Sequence, residues 1–512
     1  MDLDTLSFIL LGSIGAVAYL SLNNSKTPDV HPLILNGQAD VSRIRNAGES
    51  AIYRCKYTPN GQPLFSCPDR SARTLYDIFQ QGGLKNNAQA NFLGTRANGG
   101  KGAYEWVAKR VNNFGSGLLN IAGLKTKSDE VVGIFAPNSA AAHHYSLVTV
   151  PLDQHDTVST LTHVLNLTGM TVMVVSSRTL PAALAAASEA SSRALRHVIV
   201  IGTDEDLRAD DRRAAEIAGI ELRSFEVVEK AGESAPVENV APAGFLAIVP
   251  PNQKITASDR HLSYLSLAHV YERVTIGVLT YVGGSVAFYS GDVSKVLEDA
   301  QEAKPTIFTS VPKILHRVQD QIIKQYGDSF LYKKGYGNKQ ALLRQGRLVN
   351  DDMWDLLVFR DIRTKFFGGQ VRVLVTSADL TNAKTTEFFR IVLGSQVIQG
   401  YGLVEASAAV TATLFNDYSS TGAVGAPLPC NEIKLIDLPE LGYRAEDVPN
   451  PRGEILVRGH NVFKGYLGDE EATRKVIDAD GWLRTGQVGE VLPNGTIRIV
   501  DRKENVASRL PQ

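Results

Sequence analysis

Residues 396–405 read QVIQGYGLVE, a short apolar run that leads into a tyrosine between two glycines and then into a carboxylate. Glycines that follow a strand let the backbone come close to a ligand, because they carry no side chain. The carboxylate of Glu405 is an oxygen ligand of the kind that Mg²⁺ prefers. Taken alone, an aromatic residue between glycines is more often an ordinary turn, so the interpretation depends on the rest of the chain.

Short apolar segments of strand length recur on the N-terminal side of this stretch. Helix-like segments lie between several of them, for example the alanine-rich residues 180–193, residues 293–302 and residues 385–392. This alternation predicts an α/β architecture with largely parallel sheets. The predicted strands are residues 131–135, 146–151, 171–175, 197–201, 306–309, 371–375 and 396–398.

The pattern changes after about residue 421, where short alternating segments are separated by Gly and Pro turns. Such segments predict an antiparallel β subdomain that follows the α/β body. Residues 74–81 and 104–121 are predicted helices, and residues 26–68 read as an extended surface arm. We therefore expect an anchor at 1–25, an α/β body at 26–420, a β-rich subdomain at 421–500 and a hinge remnant at 501–512.

The N-terminal residues 6–22 form an uncharged apolar segment of 17 residues. As a helix it would be about 26 Å long, which is at the short end of what crosses a bilayer. It lacks the basic start of a cleaved signal peptide, so an uncleaved membrane anchor with a cytosol-facing body is expected. A buried or interfacial helix is the alternative. The choice among endoplasmic reticulum, lipid-droplet and peroxisomal membranes stays open.

Composition excludes several classes of protein. Lys plus Arg (53) balances Asp plus Glu (54), so no net charge draws this 512-residue chain to nucleic acid. The three cysteines have neither zinc spacing nor an even disulfide framework, and read as reduced thiols. The sequence contains no Gly-x-Ser-x-Gly, His-Glu-x-x-His or Gly-x-Gly-x-x-Gly motif.

A series of motifs stands in fixed order along the chain: HLSYLSLAHVYERV at 261–274, QGYG-x-x-E at 399–405, GAVGAPLP at 422–429, PRGEI at 451–455, FKGY at 463–466, DGW-x-x-TG at 480–486 and IVDRK at 499–503. Together these motifs resemble those of the adenylate-forming (AMP-binding) enzymes, and in detail those of the eukaryotic, fungal-type long-chain fatty acyl-CoA synthetases. The resemblance runs with gaps from about residue 32 to 505. It implies a large N-terminal domain of layered parallel sheets with an antiparallel subdomain.

The resemblance also implies roles for individual residues. Tyr401 would stack near adenine, Glu405 would hold Mg²⁺ beside the ATP phosphates, and Arg502 would hydrogen-bond the ribose. Gly400 and Gly402 would let the backbone approach the nucleotide.

His269 would lie near the acyl and phosphate site. In the family reaction a fatty carboxylate and ATP give acyl-AMP and pyrophosphate, and the thiol of coenzyme A then displaces AMP. ATP, Mg²⁺ and coenzyme A are therefore the implied cofactors and co-substrates, and a fatty acid is the implied substrate.

Several family features are missing from this sequence. The phosphate-binding loop ending in Pro-Lys-Gly should precede residue 261, but residues 249–261 read VPPNQKITASDRH without glycine. Residues 98–102 (NGGKG) resemble such a loop but lie far upstream, so we do not expect them to replace it. The segment after Pro137-Asn138 is also shortened relative to the family, with SAAA running directly into HHYSLV.

Point differences accompany these gaps. Val404 stands where the family has Thr, and Gln487 stands where a family Asp grips both ribose hydroxyls, which weakens a charged contact. Residues 376–380 read TSADL in place of the adenine-side loop. The sequence ends at Gln512, so the small C-terminal domain, with its catalytic Lys, is expected to be absent.

Three interpretations follow. The chain is a fatty acid–CoA ligase that is impaired by these differences. Alternatively, it is a membrane-anchored pseudoenzyme that binds a fatty acid or associates with a full-length synthetase. Thirdly, the gaps reflect an incomplete gene sequence, although Val404 and Gln487 are point changes that such gaps do not explain.

Overall fold

The computed structural model describes residues 34, 37–42, 46–66, 93–96, 104–106, 109–124, 131–136, 148–234, 255–377, 383–418 and 420–508. The predicted anchor (1–25), the predicted helix 74–81, the NGGKG segment, the SAAA segment and most of the predicted phosphate-loop gap lie outside them. Within the described part of the chain, no helix is long and apolar enough to cross a membrane.

Strands and helices alternate through most of the described chain, as predicted. The strands are β1 (Ala39–Val41), β2 (Tyr53–Cys55), β3 (Leu93–Arg96), β4 (Tyr104–Trp106), β5 (Val131–Phe135), β6 (Val148–Pro151), β7 (Val172–Ser176), β8 (His197–Ile201), β9 (Glu221–Ser224), β10 (Arg260–Ser263), β11 (Ser285–Phe288), β12 (Ile307–Ser310), β13 (Val373–Ser377), β14 (Gln396–Tyr401), β15 (Thr411–Ala412), β16 (Ala426–Pro427), β17 (Asn431–Ile436), β18 (Arg452–Gly459), β19 (Leu483–Val491) and β20 (Ile497–Arg502). The helices are α1 (Lys109–Ala122), α2 (Val158–Thr168), α3 (Leu180–Glu189), α4 (Ala209–Ile217), α5 (Phe225–Ser234), α6 (Val270–Val282), α7 (Val296–Ala303), α8 (Pro312–Tyr326), α9 (Phe330–Arg344), α10 (Arg360–Phe367), α11 (Ala383–Leu393), α12 (Glu470–Val476) and α13 (Lys503–Ser508).

Three sheets organise these elements. A five-stranded parallel sheet has the order β6-β5-β7-β8-β9, and a nine-stranded sheet has the order β16-β15-β14-β13-β12-β10-β11-β3-β4. The six strands from β14 to β3 in the larger sheet are parallel to one another. The third sheet is antiparallel, with the order β1-β2-β17-β18-β19-β20. These layers confirm the α/β class with an appended antiparallel sheet.

The antiparallel sheet contains two strands that the sequence did not predict. β2 pairs with β17, and β1 pairs with β2, so part of the predicted surface arm extends this sheet. Another prediction was wrong at its start: residues 104–106 form β4, which pairs with β3, and the helix begins only at Lys109. The proposed division into domains at residues 25, 420 and 500 stays a prediction.

The nine-stranded sheet separates two apolar regions because successive side chains of a strand point to opposite faces. One face carries Phe308, Leu374 and Val397, which belong to a large cluster with α7 to α11. The other face carries Ile307, Val373 and Ile398, which cluster with residues of α6. The second face is the one that bears the candidate site.

Candidate functional site

The QGYG motif forms the end of β14 and the loop that follows it. Gly400 pairs with Ser377 of β13 on one side and with Ala412 of β15 on the other. The next residues turn sharply: a Cβ added at Gly402 would lie 1.6 Å from the carbonyl oxygen of Ala408. Gly402 is therefore required by the turn itself, whereas a Cβ at Gly400 would lie 3.4 Å from the backbone oxygen of Thr411.

Glu405 lies in a single helical turn, Val404–Ala406, and is half-buried. Its carboxylate Oε1 accepts a hydrogen bond of 2.8 Å from the hydroxyl of Tyr466. Its backbone oxygen accepts one of 2.8 Å from the N–H of Phe463. Partial burial, together with the bond to Glu405 and its negative charge, raises the pKa of Tyr466 to about 12. Tyr466 is a contact that we did not predict, although it lies in the FKGY motif.

The same two loops are joined by further hydrogen bonds. The Ser407 hydroxyl donates to the carbonyl oxygen of Asn461 (2.8 Å), and the Asn461 side-chain amide donates to Ala409 (2.8 Å). Asn461 is 1% exposed, and its amide also reaches the carbonyl oxygen of Ala406 at 3.3 Å. The loop that carries Glu405 is therefore anchored to the loop that follows β18.

The Tyr401 ring is 3% exposed and belongs to a hydrophobic cluster with Val410 and Val424. Burial raises the pKa of its hydroxyl, which lies toward Thr485. The ring thus connects the QGYG loop with the antiparallel sheet. Its predicted stacking on adenine stays a prediction.

Gln487 and Arg502 are register partners in the antiparallel pair β19–β20. Directly opposite residues project from the same face, so the two predicted ribose ligands are neighbours. Arg502 is exposed and Gln487 is half-buried. The backbone at Arg502 is fixed by Asp501, whose Oδ1 accepts the Arg502 N–H at 2.7 Å.

An apolar cavity of about 830 Å³ lies on the second face of the nine-stranded sheet. Alternate residues of three strands line it: Ile307 and Thr309, Val373 and Val375, and Ile398 and Gly400. Helix α6 covers the cavity from the other side. A partly open space lined mainly by apolar side chains suits an apolar ligand, because burying hydrocarbon there removes it from water.

The cavity brings some of the predicted site residues together. His269, Gly400, Tyr401 and Gly402 all contribute to its lining. His269 is exposed and precedes the first turn of α6 as its N-cap residue. Glu405, Gln487 and Arg502 are not part of the lining, but Glu405 follows a lining residue, Val404.

A buried polar pair lies beside the cavity. His261 of β10 and Glu272 of α6 are both 0% exposed, with Nε2 and Oε1 2.9 Å apart. The hydroxyl of Thr309, a cavity-lining residue, lies 3.4 Å from the other oxygen of Glu272. These contacts hold the first turn of α6 against the sheet. Both residues lie in the motif HLSYLSLAHVYERV, from which no role was predicted for this pair.

A magnesium ion would rely on Glu405 and on the nucleotide. No group of three or more His, Cys, Asp or Glu residues in the described ranges could hold a metal ion by itself. Mg²⁺ in nucleotide enzymes is commonly held by one or two carboxylates together with substrate phosphates and water. The half-buried carboxylate of Glu405, one residue from the cavity, fits that arrangement. A bound Mg²⁺ would neutralise phosphate charge there.

Solved structures with this fold define the class. The adenylation domain of a carboxylic acid reductase from Segniliparus rugosus, in complex with AMP and a co-purified carboxylic acid, is similar over 86% of this chain and 75% of its own, with a TM-score of 0.65 and 23% identity. A long-chain-fatty-acid–CoA ligase from Archaeoglobus fulgidus is similar over 86% of this chain and 85% of its own, with a TM-score of 0.60 and 17% identity. The fold is that of adenylate-forming enzymes.

Sequence comparisons identify the family within that class. The family model described as AMP-binding enzyme matches residues 235–467. Long-chain-fatty-acid–CoA ligase 6 of Rattus norvegicus is 34% identical over 99% of this chain and 77% of its own length. Peroxisomal long chain acyl-CoA synthetase 7 of Arabidopsis thaliana is 34% identical over 90% of this chain and 71% of its own. The chain therefore belongs to the long-chain fatty acid–CoA ligase family.

Proposed function

We propose that this chain activates a long-chain fatty acid with ATP. The carboxylate oxygen attacks the α-phosphorus, pyrophosphate leaves, and acyl-AMP forms. The sulfur of coenzyme A then attacks the acyl carbon, AMP leaves, and the thiol proton is released. The observation that carries this proposal is the apolar cavity of about 830 Å³ that extends to Gly400, Tyr401 and Gly402 of the QGYG motif.

Each part of the site has a task in this proposal. The aliphatic side chains on the sheet and on α6 bind the hydrocarbon chain and exclude water from it. Gly400 and Gly402 keep the loop close to the end of β14, where the carboxylate and the α-phosphate would meet. Glu405 would hold Mg²⁺ against the phosphates, and Gln487 and Arg502 would face the ribose. His269 would lie beside the acyl carboxylate.

We further propose that adenylation is slow in this chain. Gln487 offers the ribose a neutral amide in place of a carboxylate, and hydrogen bonds to neutral groups are weaker than those to charged ones. Val404 is 65% exposed at the position that would otherwise offer a hydroxyl. Loss of one group that stabilises charge in a transition state commonly costs about 10²- to 10³-fold in rate.

A non-catalytic role is the second candidate. The buried Tyr401 ring and the neutral Gln487 favour it, because both weaken nucleotide binding while the fatty-acid cavity remains. In this alternative the chain binds a fatty acid or associates with a full-length synthetase.

We also propose that residues 1–25 anchor the chain in a membrane, with the body of the protein facing the cytosol. That the chain is a divergent copy of fungal origin is likewise our interpretation of the sequence.

ATP–pyrophosphate exchange with palmitate distinguishes the two candidates. We expect the full-length chain, purified in detergent, to catalyse slow palmitate-dependent exchange that disappears in Glu405→Ala. A matched control is Glu471→Ala, which removes an exposed glutamate from α12. Absence of exchange with retained binding of a fluorescent fatty acid would favour the non-catalytic role.

A further inference from the structure

The loop between β18 and α12, residues 460–469, contacts Glu405 at two points. The N–H of Phe463 donates to the backbone oxygen of Glu405, and the hydroxyl of Tyr466 donates to its carboxylate, both at 2.8 Å. The first contact fixes where the residue lies, and the second fixes where its carboxylate points. Glu405 and Tyr466 are 61 positions apart in the sequence, so tertiary structure alone brings them into contact.

Tyr466 is itself held in place from three directions. Its N–H donates to the Thr473 hydroxyl at 2.9 Å, which connects it to α12. Its ring stands edge-on to Phe463, with ring centroids 4.9 Å apart. The preceding Gly465 has φ +147°, and a Cβ there would lie 2.7 Å from Thr473 Cγ2. The phenol hydroxyl is thus presented to Glu405 by a constrained backbone.

The geometry leaves one side of the Glu405 carboxylate for a ligand. The described side-chain hydrogen bond of Glu405 uses Oε1. A carboxylate with one oxygen held by a donor keeps a fixed orientation, and its other oxygen can bind a cation. Hydrogen-bond partners of metal ligands act in this way in many metal sites.

We propose that Tyr466 is a positioning residue that orients Glu405 for Mg²⁺ bound with the nucleotide. This inference depends on the proposed function only in taking Glu405 as the carboxylate beside the phosphates. It assigns Tyr466 no contact with the substrate. Its effect should therefore appear in the dependence on Mg²⁺ and should leave metal-free nucleotide binding unchanged.

The test is a Mg²⁺ titration of the full-length chain with a fluorescent ATP analogue. Tyr466→Phe keeps the ring and removes only the hydroxyl. We expect the Mg²⁺ concentration at half-saturation to rise by about tenfold, the lower end of what loss of such a partner costs, since the pair is partly exposed. Affinity for the analogue in EDTA should equal that of the wild type.

A second tyrosine provides the matched control. The hydroxyl of Tyr326, at the end of α8, donates to Asp361 Oδ2 of α10 at 2.5 Å, and this phenol–carboxylate bond is not part of the candidate site. Tyr326→Phe should leave the Mg²⁺ titration unchanged. Glu405→Gln and the double variant Glu405→Gln/Tyr466→Phe should behave alike, because the hydroxyl acts through the carboxylate.

Four results would overturn the proposal. In Tyr466→Phe these are an unchanged Mg²⁺ concentration at half-saturation, or an equal loss of affinity for the ATP analogue with and without Mg²⁺. The other two are weaker Mg²⁺-dependent binding in the double variant than in Glu405→Gln alone, and binding by the wild type that does not depend on Mg²⁺. Failure of the ligase function has a different signature. In that case pyrophosphate exchange is absent, but the Mg²⁺-dependent binding and its shift in Tyr466→Phe persist.

Discussion

Gln487 and Arg502 face each other across β19 and β20, which places an amide beside a guanidinium where the nucleotide ribose is expected. A carboxylate at position 487 would accept hydrogen bonds from the ribose hydroxyls with full charge, and Arg502 would offset its desolvation. We expect Gln487→Asp to tighten AMP binding by about fivefold to tenfold, because charge-assisted hydrogen bonds are roughly twice as strong as neutral ones. Calorimetric titration with AMP measures the change.

Gln487→Asn is the control for this substitution. It has the length of aspartate and keeps the neutral amide, so it should bind AMP no more tightly than the wild type. Equal gains in both variants would show that side-chain length, and not charge, limits binding. An unchanged affinity in Gln487→Asp would contradict the predicted ribose site at this position.

Gly402 and Gly400 offer a second comparison within one motif. A Cβ at Gly402 would lie 1.6 Å from the backbone oxygen of Ala408, so Gly402→Ala must displace the loop that carries Glu405. We expect the melting temperature to fall by several degrees, since a backbone clash of this kind costs about 1–3 kcal/mol. Mg²⁺-dependent nucleotide binding should be lost as well. Thermal unfolding and the fluorescent ATP titration measure both effects.

Gly400→Ala should leave the melting temperature nearly unchanged, so that any loss of nucleotide binding in this variant reports on the ligand. Its Cβ would meet the Thr411 backbone oxygen at 3.4 Å, which is ordinary van der Waals contact. If both variants unfold at the same temperature as the wild type, the turn is more adaptable than its geometry indicates. If Gly400→Ala alone loses nucleotide binding, the close approach at Gly400 serves the ligand, as the motif predicted.

Seven strands of the parallel sheets were predictable because they are short apolar runs between amphipathic helices, whereas four others, β3, β9, β10 and β11, were not predicted. β5 and β8 were predicted with the bounds that the structure gives. β1 and β2 were not, since strands of three residues carry too little periodicity to be recognised. Their position beside β17 results from pairing between residues that are far apart in the sequence.

The candidate site was predictable where residues are adjacent in the sequence and not where they meet through folding. The QGYG motif and Glu405 could be found from local sequence. The bond between Glu405 and Tyr466 and the cavity could not, because each joins elements distant along the chain. His261 and Glu272 are only 11 positions apart within one motif, but their contact depends on how α6 packs against β10. The motifs indicated which residues are candidates for the site, but only the structure shows which residues they contact.

Val278 offers a test of the cavity as the acyl site. It lies on α6 and lines the cavity, so a tryptophan there would occupy space that a long chain needs. We expect Val278→Trp to weaken palmitate binding by at least about tenfold while octanoate binding changes little, since each excluded methylene costs about 1 kcal/mol or more. Displacement of a fluorescent fatty acid measures both affinities.

Leu356→Trp is the control for added bulk. Leu356 is 65% exposed and is not part of the cavity lining, so this variant should bind both acids as the wild type does. Equal weakening of octanoate and palmitate in Val278→Trp would mean that α6 is displaced and not that the cavity is shortened. Unchanged palmitate affinity would place the acyl chain elsewhere.

Asp259 lies where the N-terminal ends of three parallel strands, β10, β12 and β13, meet, and its charge helps to hold them together. It is 2% exposed and accepts hydrogen bonds from Arg372 Nε (2.8 Å), the Thr306 hydroxyl (2.6 Å) and the Thr256 N–H (2.8 Å). Burial alone would raise the pKa of the Asp259 carboxyl, but these bonds and the charge of Arg372 outweigh it and lower the pKa below its ordinary value.

The direction of this shift fixes the pH dependence of stability. Because the folded pKa lies below the unfolded one, the charged carboxylate stabilises the fold above about pH 4, and this contribution is lost as the pH falls through the folded pKa. Asp259→Asn should therefore lower the free energy of unfolding by about 2–4 kcal/mol at pH 7, as expected for hydrogen bonds to a buried charge. The difference in free energy of unfolding between Asp259→Asn and the wild type should become smaller at pH 3. Urea unfolding at both pH values measures this free energy.

Asp292→Asn is the control. Asp292 is an exposed N-cap residue, and asparagine serves equally well in that position, so this substitution should change the free energy of unfolding little at either pH. A cost for Asp259→Asn that is the same at pH 7 and pH 3 would show that shape, and not charge, makes Asp259 important.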